Sequence, residues 1–155
     1  MSSREIFNSI KIENVVIAQV LTASATPTVI DMSDASSVDF LVNMGNSADT
    51  LSGSVFWTIK LQDSSDNSVF ADVTDSESLL IAINGVKQDG ATSIVVDAPT
   101  EDQKNFEISY KVPGNKQYLK LLINATGTHT NGTPMAAVAI KGTLKVSPEA
   151  GKANA

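Results

Sequence analysis

The chain has 155 residues, no cysteine, and seventeen acidic against eleven basic side chains, for a net charge of −6. The length suits one domain able to bury a core without staples, and the missing cysteine removes disulfides, thiolate nucleophiles and sulfur-ligated zinc. The acidic balance argues against nucleic acid as the main partner, because affinity for a phosphate backbone rests on Lys and Arg. No stretch approaches the ~20 apolar residues that span a bilayer, so no membrane role is expected.

Residues 1–14 are polar with apolar teeth at Ile6, Phe7, Ile10 and Ile12, the pattern of an arm lying along a neighbour as an added strand or a helical turn. The stretch Val15 to Leu21 reads as a strand. It is followed by Ala23-Ser24-Ala25, a small-residue triplet like a cleavage site, but Glu5, Glu13 and Gln19 spoil a secretory leader.

Period-two alternation then recurs along the chain. Val38, Phe40, Val42 and Met44 share one face, as do Val55, Trp57, Ile59 and Leu61, and later Phe106, Ile108, Tyr110 and Val112. Leu119, Leu121 and Ile123 oppose Tyr118 and Lys120, and Val138, Ile140, Leu144 and Val146 are set against Lys141, Thr143 and Lys145. Further strands are expected at Val29 to Met32, Val69 to Val73 and Thr92 to Asp97. The pattern predicts an all-β domain over 15–147, an antiparallel sandwich or barrel of jelly-roll type, with a small polar tail over 148–155. Asn84-Gly85, Asp89-Gly90, Pro113-Gly114-Asn115 and Asn131-Gly132 mark turns. One stretch departs from the β pattern. Thr74 and Glu77 have capping-box spacing ahead of apolar residues 79, 80, 83 and 86, which predicts a short helix or helical turn near 76–84.

The charges are segregated along the chain. Residues 1–110 carry five basic and sixteen acidic groups, whereas residues 111–155 carry six lysines and one acid. Either the fold keeps these blocks apart as complementary faces, or its strands interleave and mix them.

No chemistry-bearing motif withstands inspection. The polar knot Asp63-Ser64-Ser65-Asp66-Asn67-Ser68 lacks the alternate carboxylates, turn glycine and closing glutamate of a calcium loop, and short Asp, Asn and Ser side chains bond their own backbone in turns. It reads as a hairpin corner. His129 is the only histidine, without a GxSxG elbow to serve, and its loop setting predicts a surface residue. The acid pairs Glu101 with Asp102 and Asp72 with Asp75 read as solvated surface charge, and Trp57 falls on an apolar face. No phosphate-binding loop occurs, and neither an enzyme nor a cofactor is expected.

Several stretches, "VDFLVNMG" leading to "WTIKLQDSSDNSVFADV" and then "VPGNKQYLKLLINATGTHTNGTPMAAVAIKGTLK", together resemble the capsid decoration, or cement, proteins of tailed bacteriophages. The likeness covers residues 38–146 apart from the middle. It implies a homotrimer made in the host cytoplasm that binds the major capsid protein on the virion exterior and clamps the expanded shell against DNA pressure. The contacts expected on this reading are Ile6, Phe7, Ile10 and Ile12 of the arm, with Lys116, Lys141 and Lys145 as electrostatic partners. The rivals are another virion component, such as a tail or head-fibre protein, and a carbohydrate-binding sandwich.

Overall fold

The computed structural model describes residues 8–144, and these form eleven strands. In chain order they are β1 (Lys11–Leu21), β2 (Val29–Asp31), β3 (Ala35–Met44), β4 (Phe56–Ser64), β5 (Ala71–Asp72), β6 (Leu79–Ile83), β7 (Val86–Gln88), β8 (Ser93–Val96), β9 (Asn105–Lys111), β10 (Tyr118–Thr126) and β11 (Thr133–Leu144). One sheet runs β1-β11-β3-β9-β6-β7, the other β2-β10-β4-β5 with β8 also on β4, and every pairing is antiparallel. With β5, β6 and β7 set aside, the remaining order is β1-β11-β3-β9 against β2-β10-β4-β8, the two interlocked Greek keys of a jelly roll. The chain between β4 and β8 is an insertion whose β6–β7 hairpin widens the first sheet.

The core lies between the sheets. Phe40, Val42, Phe106 and Ile108 from one side meet Trp57, Ile59, Leu61, Leu119 and Ile123 from the other, all essentially without solvent contact. These are the inward sets that alternation picks out. In β1 both Val15 and Val16 are buried although they are neighbours, because register shifts between Asn14 and Val16 and between Val16 and Gln19 turn the strand so that two consecutive side chains point inward.

Three expectations need correction. The segment 76–84 is one turn followed by a strand. Asp75, and not Thr74, caps the turn, its carboxylate accepting from the Glu77 amide at 3.0 Å and the Ser78 hydroxyl at 2.8 Å, and the Leu79 amide returns to the Asp75 carbonyl. From Leu79 the chain is strand, and Asn84 and Gly85, both at positive φ, form the tight turn into β7. The apolar spacing that resembled a helix belongs to a hairpin.

The second correction concerns β11. Its inward residues are Met135, Ala137, Ala139 and Lys141, and the larger Val138 and Ile140 are half-buried on the outer face. Ala139 lies beside Phe40 in the ladder and Ala137 beside Val42, so small inward residues leave room for large ones on the neighbouring strand. Ranking side chains by size alone reverses this strand. Third, β1 begins at Lys11, so Lys11–Asn14 belong to the sheet and not to an arm.

Candidate functional site

The polar knot resolves into two parts. Asp63 and Ser64 are buried at the end of β4, and the turn proper follows them. The Asp66 carboxylate accepts from the Ser64 hydroxyl at 2.9 Å and from the Ser68 and Val69 amides at 2.9 and 3.0 Å, while Asn67 sits at φ 59°. Those bonds, the Val69 amide foremost, hold the Asp66 carboxyl below its ordinary range. Its oxygen is thus engaged in shaping a hairpin. Among the described residues no group of three or more His, Asp or Glu side chains is placed to hold a metal ion. Asp63 points inward instead, accepting from the Tyr110 hydroxyl at 2.7 Å and pairing with Lys116 at 3.4 Å. Burial, then the Asp63 contact, raises the Tyr110 phenol well above its ordinary value.

The opposite end of the sandwich holds a buried polar cluster that sequence reading missed. His129, expected on the surface, is buried, with its ring centroid 4.4 Å from that of Trp57. Its Nε2 lies 3.1 Å from the Thr126 carbonyl, which only accepts, so that nitrogen carries the proton. The indole N–H of Trp57 donates to the Thr133 hydroxyl, which donates to Ser47, while the Ser47 amide donates to Asp102. Asp49 accepts from the Asn131 and Gly132 amides, and these bonds, Asn131 first, lower its carboxyl. Ser, His and Asp occur together here, yet the hydroxyls are taken up in a relay that pins the loops 45–55 and 127–132. The arrangement is a clamp on the loop end of the fold.

Two of the three lysines expected as electrostatic contacts, Lys141 and Lys116, have acidic partners within the fold. Lys141 is 2% exposed, with Nζ 3.0 Å from both Glu13 and Asp34 and 2.6 Å from the Asp31 carbonyl. Lys11, directly across the ladder, pairs with the same two acids at 3.5 and 3.0 Å, closing a ring of four charges that ties β1 and β11 to the β2–β3 turn. Burial alone would raise Asp34, but the hydrogen bonds and charges of Lys141 and Lys11 outweigh it and hold the carboxyl low. Lys141 is therefore an internal staple and not a surface contact, and Lys116 is joined to Asp63. Both pairs link the basic block of the sequence to the acidic one, so the strands interleave the charges.

Of the apolar arm candidates, Ile6 and Phe7 lie outside the described residues, as does Lys145. Ile10 is half-buried against the first sheet, and Ile12 is 61% exposed on β1. What the structure adds is the rest of β1. Ile17 is 73% and Val20 57% exposed, beside a groove of about 510 Å³ between β1 and residues 22–28. Among the described residues β1 is the outermost strand of its sheet and pairs only with β11, and the Thr28 hydroxyl covers one of its carbonyls, that of Val15, at 3.0 Å. The signal was present in the consecutive Val15-Val16-Ile17 run, since a strand with one buried face cannot place three successive apolar residues inward.

No family model and no curated protein matches the sequence. Among solved structures, the SPBc2 prophage-derived protein YomS is a distant likeness, with a TM-score of 0.48 and 9% identity over 85% of this chain and 93% of that one. No helix among the described residues is long and apolar enough to cross a membrane.

Proposed function

We propose that this chain is a structural protein of a tailed-phage virion. It docks on the outside of the expanded capsid and stabilises it against packaged DNA, without enzymatic activity or a cofactor. Its partners on this reading are the major capsid protein and further copies of itself in a homotrimer. The observation that carries the proposal is the edge strand β1, where Ile12 stands exposed and Ile17 and Val20 stand exposed beside an open groove. Exposed apolar side chains on an unpaired edge are what a soluble sheet ordinarily avoids, and they suit addition of a partner's strand or surface. The sequence likeness to decoration proteins supplies the kind of partner. Trp57, Phe40 and Phe106 are buried, so the aromatic platform of a sugar-binding module is not built from them.

The physical mechanism is multivalency. Each contact is weak, but copies joined to one another engage several capsid subunits, so later contacts become effectively intramolecular. A protein that binds only the expanded shell stabilises that state by mass action. Co-sedimentation with expanded and unexpanded shells tests the reading. Binding to the expanded form with a raised temperature of genome release is expected, and no binding to either shell overturns it.

A further inference from the structure

Two hydrogen-bond acceptors face each other in the buried cluster at the loop end. Nδ1 of His129 is buried, has no hydrogen-bond partner among the described residues, and lies 4.0 Å from a carboxylate oxygen of Asp49. The other ring nitrogen is committed as a donor to the Thr126 carbonyl, so in the neutral ring Nδ1 turns a lone pair toward that carboxylate. A buried acceptor without a donor is costly, and a facing negative charge adds to the cost. One proton on Nδ1 relieves both.

The loop holds the ring in place. Gly127 and Gly132 bracket it, both at positive φ, and each brings the backbone against a neighbouring segment. A Cβ at Gly127 would strike the Ser54 carbonyl, and one at Gly132 would lie 2.8 Å from that of Leu21. The Asn131 and Gly132 amides hold Asp49 at 2.9 and 2.7 Å, so ring and carboxylate are fixed by the same loop.

The surrounding charges favour a cation at the ring. Segments 45–58 and 126–140, which build the cluster, carry no charged side chain besides Asp49. Residues 16–28, against which Gly132 packs, carry none, and neither does β8, which pairs with β4 at Trp57. The loop 97–104 brings Asp97, Glu101, Asp102 and Lys104, with Asp102 buried on the Ser47 amide and Glu101 accepting from the Asp97 amide. The tilted Trp57 ring, 4.4 Å away between centroids, adds a π system of the kind that attracts cations.

We propose that His129 is a proton-operated latch: a proton from solvent taken up on Nδ1 makes a charge-assisted hydrogen bond to Asp49 and draws loops 45–55 and 127–132 together. The carboxylate has about 1 Å to travel, from 4.0 Å to the ordinary length of such a bond. The clamp at the loop end is then tighter in mild acid than at neutral pH. This property belongs to the isolated protein and stands whether or not the chain binds a capsid.

His129 is the chain's only histidine and Trp57 its only tryptophan, so the indole reports on the ring without labelling. Wild type and Asp49→Asn, which keeps the shape and removes the charge, are followed by tryptophan fluorescence and thermal unfolding from about pH 8 to about pH 6, where histidine is the side chain that ordinarily takes up a proton. A proton held more tightly by the folded chain than by the unfolded one stabilises the fold as pH falls, so the Tm of wild type is expected to rise relative to that of Asp49→Asn. Emission of folded wild type should change with a one-proton midpoint. In Asp49→Asn the proton should bind about tenfold more weakly, which moves that midpoint about one pH unit lower. His129→Gln should abolish the change, and a change that survives there overturns the latch. Constant emission in wild type, a Tm that falls relative to Asp49→Asn, or an unchanged midpoint in that variant overturns it equally.

Discussion

Replacing Lys141 with methionine tests whether the ring of four charges holds the termini of the sheet together. Methionine keeps the buried stem and removes only the ammonium, so the measured loss reports the charge and its hydrogen bonds. Three partners lose a donor: Glu13, Asp34 and the Asp31 carbonyl. Removing one member of a buried pair ordinarily costs about 3–5 kcal/mol, because a charge is left uncompensated. Here the side chains of Glu13 and Asp34 are 29% and 34% exposed and Lys11 remains beside both, so water and one cation take up part of the deficit. The lower end applies, with about 1 kcal/mol for the orphaned carbonyl included, giving about 3 kcal/mol in all. For a domain of this size that is a fall in Tm of about 6–12 °C. The pH dependence has a defined sign. Asp34 is lowered in the folded state, so its pairing contributes stability above the ordinary carboxylate range and loses it as pH falls through the depressed value. The gap between wild type and variant should therefore be full at neutral pH and close below about pH 4. Calorimetric unfolding across that range is the assay. A Tm within 1 °C of wild type at neutral pH, the behaviour of about ±0.5 kcal/mol expected at a solvated surface, would show that Lys141 faces outward and that the reversed assignment of β11 is wrong.

Three further outcomes follow from particular contacts. Tyr110→Phe removes a buried donor to Asp63 and should cost about 1–2 kcal/mol in denaturant unfolding, with no change in the m-value. Because the folded Tyr110 phenol is raised, its contribution is complete below about pH 10 and is lost above it, so a spectrophotometric titration should show one of the two tyrosines ionising only with alkaline unfolding. A methyl at Gly132, which sits at φ 83°, would lie 2.6 Å from Val20 Cγ1 and 2.8 Å from the Leu21 carbonyl, so Gly132→Ala should cost about 2–4 kcal/mol, and a cost below about 0.5 kcal/mol would contradict that close approach. Calcium or EDTA should leave the melting temperature unchanged, since the Asp66 oxygen is already occupied by the turn, and a calcium-dependent rise would restore the metal loop.

The sheet was legible in the sequence wherever one face met the core and the other met water. Phe40 and Val42, Trp57 and Ile59, and Phe106 and Ile108 all point as their alternation requires. Legibility failed where a second constraint competed with hydropathy. In β11 packing volume placed Ala137 and Ala139 inward, and a salt network gave Lys141 an interior partner set contributed by residues more than a hundred positions earlier. At 76–84 a hairpin with an Asn-Gly turn imitated helical spacing, because Leu79, Leu80 and Ile83 mix inward and outward positions of one strand. His129 was misplaced because its burial depends on Trp57 and on loops brought together only by the fold. The exposed apolar face of β1 was half legible. Ile12 was singled out, but Ile17 and Val20 were read as ordinary strand residues, although the run Val15-Val16-Ile17 already required one apolar side chain to face outward.

The central claim is that β1 grips a capsid. Its most direct test is co-sedimentation of the wild-type protein and of an Ile17→Lys, Val20→Lys double variant with expanded tailed-phage shells. Both side chains are exposed, so the variant should fold with stability within about 1 kcal/mol of wild type. The account predicts that wild type pellets with the expanded shells and that the folded variant stays in the supernatant. Equal pelleting of both would show that the edge strand is not the gripping surface, and a wild-type protein left in the supernatant would remove the capsid role itself.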